Sequence, residues 1–338
     1  MAKIAINGFG RIGRLFFRQA FESPDIEIVA INDLGDLGNL AYLLKYDTVY
    51  RWYNKSIEVK DGNLVVDGKT IRILQEKDPT HLPWEDLGID VVVESTGVFE
   101  SYEKAKVHIT AGAKRVVITA PAKDADGTEG KTVLVGVNEG DLRSVVLTSN
   151  GSCTTNAASP LISILNEQIG IQKAILNTVH GYTATQSLVD GPVKGGDFRR
   201  GRAAAQNIVP STTGAAVAVT RAIKELEGKF DGIAFRVPTV TGSVADITFL
   251  AKRKTTVEEV NLILTKASKE PKWKGILAVT TEPIVSSDVI GAPYGAIADL
   301  SFTKVVDGDL VKVLSWYDNE WGYVTTLVKH VQNIAQLV

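Results

Sequence analysis

The sequence has a single cysteine, Cys153, so no disulfide can form within the chain. This scarcity of thiols is typical of proteins from a reducing compartment, and we expect a cytoplasmic location. No apolar run reaches the length of about 18 residues that a membrane helix needs, and no signal-peptide pattern occurs. The four histidines lie far apart and form no CxxC or HExxH pattern, so we expect no metal site.

The chain also lacks an excess of either charge. Its 37 basic and 39 acidic residues leave a formal net charge of -2, with neither sign concentrated at a terminus. This balance argues against nucleic acid as a partner, and the missing apolar run argues against a membrane. The 338 residues, 44% of them hydrophobic, are enough for about two domains of roughly 150 residues each.

The first 150 residues alternate between apolar runs and a helical pattern. An apolar run at 3–6, a glycine turn at 8–13, a helical pattern at 14–21 and a second run at 26–31 predict a βαβ unit. Later runs at 91–94, 116–119, 133–135 and 145–147 are unbroken, as expected for strands covered on both faces. This half of the chain is predicted to form a Rossmann-type, mostly parallel sheet, an α/β fold.

The pattern changes after about residue 150. Longer runs at 244–251, 296–302 and 310–316 are joined by turn-like segments and favour an antiparallel sheet. Thr256 and Glu259 are spaced as a capping box that opens a helix. We therefore expect a nucleotide-binding domain at 1–151, an α+β catalytic domain at 152–317, and a C-terminal helix at 318–338 that returns to the first domain.

The glycine turn carries a dinucleotide-binding pattern. Gly8, Gly10 and Gly13 are spaced as GxGxxG between a predicted strand and a predicted helix, and Asp33 ends the next strand. Glycines let the backbone approach a pyrophosphate, whose charge is favoured at a helix N-terminus. A carboxylate at Asp33 would accept hydrogen bonds from the ribose hydroxyls and repel a 2′-phosphate. The pattern therefore favours NAD over NADP as cofactor.

The only thiol lies in a segment rich in hydroxyl groups, between a predicted strand and a predicted helix. A lone cysteine is most often a small buried residue, but its neighbours here supply donors for an anion rather than aliphatic contacts. The helix N-terminus favours a thiolate, so we expect a lowered thiol pKa. His180 ends the next apolar run, and a parallel return of the chain would bring its imidazole to the thiol.

Several strings of residues occur together and in order along the whole chain. They are NGFGRIG, IND at Asp33, ESTGVF, SNGSCTTN, HGYTATQ, RRGRAAAQNIVPSTTGAA, RVPT and WYDNEWGY. In this combination the chain resembles the phosphorylating glyceraldehyde-3-phosphate dehydrogenases. The resemblance implies a glycolytic oxidoreductase, a homotetramer, and oxidation of glyceraldehyde 3-phosphate by NAD to 1,3-bisphosphoglycerate with inorganic phosphate.

The resemblance also implies roles for individual residues. Cys153 matches the nucleophile that forms a thioester, and His180 matches the base that activates it. Positions that match the family's cofactor site are Arg11, Ile12, Asp33, Lys77, Thr119 and Asn319. Positions that match its two anion sites are Thr183 and Arg236 for the substrate phosphate, and Ser152, Thr154, Thr213 and Gly214 for the attacking phosphate. Arg199 matches a loop position near substrate and cofactor, where Arg200 could take its place.

Three other functions remain open at this point. A related erythrose-4-phosphate dehydrogenase would share the fold and the Cys153 and His180 pair. A thiol hydrolase would leave the dinucleotide motif unexplained. A non-catalytic NAD-binding interaction protein would use the cofactor site alone. The segment at residues 50–53 is bulkier than the short segment that usually follows KYD in the family, and it receives no role.

Overall fold

The computed structural model describes residues 1–193 and 196–338 of the chain. These residues form two compact units, one made of Met1–Gly151 with Val324–Val338, the other of Ser152–Tyr323. Within the described ranges no helix is long and apolar enough to cross a membrane.

The first unit is built on a nine-stranded sheet. Its strands, with the separate β3–β4 hairpin, are β1 Ala2–Asn7, β2 Ile26–Asn32, β3 Tyr46–Asp47, β4 Arg51–Trp52, β5 Ile57–Lys60, β6 Asn63–Val66, β7 Lys69–Leu74, β8 Val91–Glu94, β9 Arg115–Ile118, β10 Gly130–Thr132 and β11 Leu147–Ser149. The sheet order is β10-β11-β9-β8-β1-β2-β7-β6-β5. Every pair from β10 to β7 is parallel, and the two pairs at the other edge, β7 with β6 and β6 with β5, are antiparallel. The Rossmann-type prediction is confirmed.

The strand order reverses at β1, which pairs with β2 on one side and β8 on the other. In open parallel sheets such a reversal leaves a crevice at the carboxyl ends of the strands, where ligands bind. The helices of this unit are α1 Arg11–Ala20, α2 Leu37–Lys45, α3 Trp84–Leu87, α4 Tyr102–Ala105 and α5 Val107–Thr110. The glycine turn therefore opens helix α1 at this crevice.

One predicted strand is wrong. Residues 133–135 lie just beyond the end of β10, although Val133 and Leu134 are fully buried. Val133 N–H still donates to Ser149 O at 2.9 Å. A short apolar run signals burial, and it cannot distinguish a buried strand from the buried segment that follows one.

The second unit contains a seven-stranded mixed sheet in the order β13-β14-β12-β15-β18-β17-β16. Its strands are β12 Ile171–Gly181, β13 Val209–Thr212, β14 Phe230–Val237, β15 Ser243–Ala251, β16 Leu277–Thr280, β17 Ala296–Val306 and β18 Leu310–Tyr317. Four of its pairs are antiparallel, as the second-half pattern predicts, and two are parallel, β12 with β14 and β16 with β17.

The helices of the second unit are α6 Cys153–Gln168, α7 Ala215–Ala222 and α8 Val257–Ala267. Two of them, α6 and α8, begin at a serine or threonine whose hydroxyl caps the helix N-terminus. Thr256 caps α8 by accepting a hydrogen bond from Glu259 N–H at 3.2 Å. The Glu259 carboxylate accepts from Arg253 at 2.8 Å and 3.1 Å and from Thr255 at 2.7 Å. The predicted start of the helix is confirmed, but the glutamate stabilises the loop before it.

The bulky segment at residues 50–53 contributes to the short β3–β4 hairpin. Arg51 has a φ of 61°, in the left-handed region that side chains rarely adopt. The rings on either side of it face cations of helix α1, with Arg11 over Tyr50 at 5.8 Å and Arg18 over Tyr53 at 5.2 Å. These contacts hold the hairpin against α1.

The last helix, α9 Trp321–Ala335, carries a buried histidine. His330 Nε2 lies 2.9 Å from Thr148 Oγ1, and its Nδ1 lies 3.1 Å from Asn150 Oδ1. Both partners lie at the carboxyl end of β11, in the same unit as residues 324–338. Burial lowers the pKa of His330 to about 3, so the imidazole is neutral in the folded protein.

This buried histidine makes stability depend on acid. The pKa of His330 is 6.5 in the unfolded chain and about 3 in the folded chain. Between these two values the unfolded chain binds a proton at His330 and the folded chain does not. Folding therefore loses up to about 1.4 kcal/mol per pH unit as the pH falls through this range. We expect His330→Gln to show a shallower loss of stability than the unsubstituted chain when urea unfolding is compared at pH 7, 6 and 5. Equal pH slopes for the two proteins would contradict this assignment.

Candidate active site

The glycine turn of the first unit is shaped by close packing at two positions and by open space at the third. Gly8 has a φ of 94°, and a Cβ there would lie 2.6 Å from Thr96 N. A Cβ at Gly13 would collide with Gly8 O, whereas one at Gly10 would meet nothing within 4 Å. Gly8 and Gly13 therefore let the helix pack on the strand, and Gly10 leaves backbone open to a ligand.

A cleft of about 450 Å³ adjoins this turn and is lined by Gly8, Gly10, Asp33 and Lys77 among others. The Asp33 carboxylate is held by two backbone donors, Phe9 N–H at 2.6 Å and Gly35 N–H at 2.8 Å. Each donor uses a different carboxylate oxygen, so the orientation of the group is set before any ligand arrives. A nucleotide ribose with free hydroxyls fits an acceptor placed in this way.

The other predicted cofactor residues differ in how directly they can act. The Arg11 guanidinium contacts the Asp47 carboxylate at 2.5 Å. Its backbone N–H, at the start of α1, is therefore the group of this residue that lies next to the glycine turn. Ile12 follows it in the same turn of helix, and Thr119 lies just after β9. Asn319, in the second unit, has its Oδ1 fixed by Thr241, Gly242 and Ser243 at 2.9–3.2 Å, which orients its amide nitrogen as a donor.

The second unit places Cys153 at the first position of the 16-residue helix α6. Ser152 is the N-cap, and its hydroxyl accepts from Thr155 N–H at 3.1 Å while Thr155 Oγ1 accepts from Ser152 N–H at 3.2 Å. This reciprocal pair is a capping box, and it fixes where the helix begins. The predicted position of the thiol at a helix N-terminus is therefore observed.

The thiol and the predicted base are in contact. Cys153 Sγ lies 3.3 Å from His180 Nε2, and the imidazole is 3% exposed near the end of β12. His180 Nδ1 lies 2.6 Å from Gly181 O, which can only accept, and 2.7 Å from Arg236 Nη1, which can only donate, so these two contacts favour opposite tautomers. In the tautomer with the proton on Nδ1, Nε2 presents its lone pair to the sulfur. A neutral imidazole in this orientation can take the proton of the thiol.

Charge and burial act on this pair in opposite directions. Burial raises the pKa of the Cys153 thiol, whereas the positive charge of Arg236 and the hydrogen bond from Thr154 N–H lower it. Burial and Arg236 together lower the pKa of His180 to about 3. Burial is the largest of these effects, so the pKa of Cys153 lies above its ordinary value, and the lowered pKa expected from the helix N-terminus is wrong. Ionisation of this sulfur depends on Arg236 and on proton transfer to His180.

Arg236 contacts the imidazole itself. Its Nη1 lies 2.7 Å from His180 Nδ1 and 3.4 Å from Gly181 O. The parallel pairing of β12 with β14 sets Arg236 directly opposite His180 in the sheet register. The sequence offers no sign of this parallel pair, so the contact between the two side chains was not predictable from it.

Tyr317 is a functional candidate that sequence reasoning missed. Its hydroxyl lies 2.8 Å from Thr154 Oγ1 and 2.7 Å from Thr178 Oγ1, and its ring meets the His180 ring edge-on at 5.9 Å. It therefore ties the first turn of α6 to the strand that carries the base. The only sequence signal was its membership of the WYDNEWGY string.

The predicted anion-binding residues are dispersed over several local structures. The Thr154 hydroxyl is committed to Tyr317, and the Ser152 hydroxyl to the helix cap. Thr183 Oγ1 lies 2.9 Å from Thr185 Oγ1. Thr213 Oγ1 accepts from Ala215 N–H at 3.2 Å, and Gly214 is the N-cap of α7.

The two neighbouring arginines differ in their partners. Arg199 donates to Asp197 at 2.7 Å and its side chain is 56% exposed. Arg200 donates to Ser211 at 3.0 Å and to Thr185 at 3.4 Å, beside Thr183. Of the two arginines, Arg200 is therefore the one that contacts the segment around Thr183, which is predicted to bind the substrate phosphate.

Comparison with known proteins agrees with these two sites. The family model described as glyceraldehyde 3-phosphate dehydrogenase, NAD binding domain, matches residues 2–102, and the C-terminal domain model matches residues 152–319. The chain is 51% identical over 340 residues to a glyceraldehyde-3-phosphate dehydrogenase of Thermotoga maritima, with all of both chains covered. It is 50% identical to the Borreliella burgdorferi protein of that name, covering 99% of this chain and 100% of the relative. For the Geobacillus stearothermophilus protein the identity is 49%, with 98% of each chain covered.

The carboxylate at the end of β2 should control cofactor choice. We expect Asp33→Ser to raise the ratio of kcat/KM for NADP to that for NAD by roughly tenfold or more, because the charge that repels a 2′-phosphate is removed. Asp25→Ser, at an exposed position just before the same strand, is the matched control. An unchanged ratio in steady-state kinetics would remove Asp33 from this role.

The guanidinium beside the imidazole should control the reactivity of the thiol. Because Arg236 lowers the pKa of Cys153, its loss raises that pKa and reduces the thiolate fraction at neutral pH. We expect Arg236→Leu to slow alkylation by iodoacetamide several-fold at pH 7, with the rate recovering at higher pH. Arg253→Leu, which removes an arginine paired with Glu259, serves as control. A pH profile identical to that of the control would refute the assignment.

Proposed function

Since the chain belongs to the glyceraldehyde-3-phosphate dehydrogenase family, we propose that it oxidises glyceraldehyde 3-phosphate to 1,3-bisphosphoglycerate, using NAD and inorganic phosphate, in glycolysis. The observation that carries the proposal is the 3.3 Å contact between Cys153 Sγ and His180 Nε2 at the start of α6. A thiol beside a neutral imidazole is the arrangement needed for covalent catalysis at a carbonyl carbon.

The first chemical step is assigned to these two residues. As Cys153 Sγ forms a bond to the aldehyde carbon, the thiol proton passes to His180 Nε2, which can accept it when the neutral imidazole carries its proton on Nδ1. The carbonyl oxygen becomes the hydroxyl of a hemithioacetal as it takes this proton from His180, and the imidazole returns to its neutral form. Backbone N–H groups at the start of α6 are suited to stabilise negative charge on that oxygen.

The second step leaves a thioester on Cys153. A bound NAD would supply the acceptor for the hydride that leaves the hemithioacetal carbon. His180 accepts the hydroxyl proton as the carbonyl re-forms, and the sulfur stays acylated. An oxygen of inorganic phosphate then attacks the thioester carbon, the C–S bond breaks, and Cys153 is released as thiolate. A proton held on His180 stabilises that leaving group.

The residues of the first unit fit the cofactor in shape and in chemistry. The open space at Gly10 accepts a pyrophosphate against backbone N–H groups, and the preset carboxylate of Asp33 suits ribose hydroxyls. We assign the cofactor to Gly8, Gly10, Arg11, Ile12, Gly13, Asp33, Lys77, Thr119 and Asn319. The amide nitrogen of Asn319 suits an acceptor such as the nicotinamide carboxamide oxygen.

Two phosphate positions are assigned around the thiol. We assign Thr183, Arg236 and one of Arg199 or Arg200 to the substrate phosphate, and the contacts of Arg200 with Thr185 and Ser211 favour it over Arg199. For the attacking phosphate we assign Ser152, Thr154, Thr213 and Gly214.

The rival functions have less support. Each relative named above carries the triose-phosphate name, so an erythrose-4-phosphate dehydrogenase is not favoured. A thiol hydrolase would have no use for the glycine turn or for the carboxylate preset at the end of β2. A purely NAD-binding interaction protein would have no use for the Cys153–His180 contact.

We propose further that the two units act as an NAD-binding domain and a catalytic domain, with residues 324–338 part of the first. A homotetramer is supported by exposed apolar side chains of the second unit, which a second copy of the chain could cover. They include Ile175, Leu188, Val189, Phe198, Ile208 and Ile233. A cytoplasmic location is proposed from the single thiol, and no nucleic acid or membrane partner is proposed.

A direct assay tests the proposed reaction. Purified protein is mixed with glyceraldehyde 3-phosphate and NAD, with and without phosphate or arsenate, while the absorbance of reduced nicotinamide is followed. We expect sustained turnover only with the anion, and a burst of about one NADH per site without it because the thioester accumulates.

Two variants identify the residues responsible. We expect Cys153→Ser to abolish turnover and His180→Asn to reduce kcat by roughly 10²–10⁴-fold, the range typical of a general base. His81→Asn, at an exposed position, is the matched control. Turnover that survives in Cys153→Ser, or a preference for erythrose 4-phosphate as substrate, would overturn the proposal.

A further inference from the structure

Five polar or partly polar side chains are buried together next to the glycine turn. They are Asn7, Asn32, Trp84, Glu94 and His108, all 5% exposed or less, and we refer to them as the Glu94 network. None of them belongs to the thiol chemistry, and all lie in the first unit. A buried carboxylate and a buried imidazole are costly to place in a core unless each hydrogen bond is satisfied, so their presence calls for an explanation.

The tautomer of His108 in the Glu94 network follows from one donor. Trp84 Nε1 lies 3.1 Å from His108 Nδ1, and an indole nitrogen can only donate. Nδ1 is therefore the acceptor of the neutral ring, and the proton is on Nε2. That nitrogen lies 3.0 Å from Glu94 Oε2 and donates to it. Trp84 thus sets the tautomer of His108, and His108 in turn holds the carboxylate.

Both oxygens of Glu94 are saturated by donors. Oε2 accepts from His108 and from Asn7 Nδ2 at 2.6 Å. Oε1 accepts from Thr96 N–H at 2.8 Å and from Thr96 Oγ1 at 2.5 Å. Four donors match the four acceptor positions of a carboxylate, so its orientation is fixed completely. The residue that Glu94 fixes most directly is Thr96, which lies outside the buried group.

Thr96 and its neighbour form a wall of the dinucleotide cleft. A Cβ at Gly8 would lie 2.6 Å from Thr96 N, so the two backbones are in contact. Ser95 Oγ donates to Gly8 O at 2.7 Å. The carboxylate therefore holds residues 95–96 against the glycine turn, and any rotation of Glu94 would release one side of that turn.

The opposite side of the cleft is tied to the same group. Asn32 donates through Nδ2 to Asn7 Oδ1 at 2.7 Å and to Glu76 O at 2.9 Å, while its Oδ1 accepts from Glu76 N–H at 2.9 Å. Glu76 and Lys77 line the cleft together with Asn7 and Thr96. A continuous series of hydrogen bonds thus runs from Trp84 to both walls.

We propose that Trp84 and His108 are positioning residues for the dinucleotide: they hold the Glu94 carboxylate in the single orientation that preforms the glycine turn and both walls of the cleft. When a site is already ordered, binding does not incur the entropic cost of ordering its backbone, and the affinity for the ligand is higher for that reason. The proposal concerns NAD affinity alone and stands whether or not the proposed reaction is correct.

The test is NAD binding by isothermal titration calorimetry, which needs no turnover. We expect His108→Leu, which leaves Glu94 short of a donor, to weaken NAD binding by roughly tenfold or more, the value of a charge-assisted hydrogen bond. His108→Gln retains an N–H donor of similar reach and should recover most of the affinity. Trp84→Phe removes the N–H that selects the tautomer, together with part of a fully buried ring, and should weaken binding by roughly threefold to tenfold.

A role limited to stability is distinguished by one control variant and one kinetic measurement. Trp273→Phe removes a buried tryptophan of the second unit and should lower the melting temperature without changing NAD affinity. In turnover assays we expect Trp84→Phe to raise KM for NAD while kcat at saturating NAD stays within about twofold. If His108→Leu fails to fold, Trp84→Phe carries the test.

The proposal is overturned if Trp84→Phe lowers the melting temperature but binds NAD as tightly as the unsubstituted protein. It is also overturned if His108→Gln binds NAD as weakly as a folded His108→Leu, because the donor to Glu94 would then be irrelevant. Absence of turnover in the unsubstituted protein would count against the proposed reaction alone. NAD binding that is unchanged in all of the Trp84 and His108 variants would count against this inference alone.

Discussion

The chemistry of this molecule depends on a single contact, the 3.3 Å approach of Cys153 Sγ to His180 Nε2. Neither side chain could hold that position on its own. The capping box of Ser152 and Thr155 fixes where α6 begins, and Gly181 O and Arg236 Nη1 both contact Nδ1 and hold the imidazole in place. Each of these supports is a hydrogen bond between buried or half-buried groups, where water does not compete for the donor or acceptor.

The same physical constraint acts in the first unit. Glycines have no side chains that could hold the turn in its conformation. The backbone of the glycine turn must therefore be held by neighbouring residues. Here the surrounding backbone is held by a carboxylate with four donors, and the donors are themselves ordered by a buried tryptophan and histidine. Polar groups are expensive in a core, and in both units they occur where a neighbouring site must be held still.

Much of the fold was readable from local pattern. Unbroken apolar runs predicted the parallel strands, and β8 begins and ends where the run at residues 91–94 does. Thr256 marked the start of α8 through its hydroxyl. The error at residues 133–135 shows the limit of this reasoning, because a buried segment that follows a strand has the same apolar signature as the strand itself. The parallel pairing of β12 with β14 inside a largely antiparallel sheet had no local signal at all.

What the sequence determined by itself was the chemical inventory and its local setting: one thiol at a helix start, one glycine turn after a strand, and one carboxylate at the end of the next strand. These follow from spacing over a few residues, where backbone geometry leaves few choices. Only the tertiary structure decided which distant groups meet. Arg236 reaches His180 through strand register, Tyr317 joins α6 to β12, and His108 reaches Glu94 across 14 residues of chain. Such contacts depend on how whole elements pack, and packing is a property of the complete set of side chains rather than of any one segment.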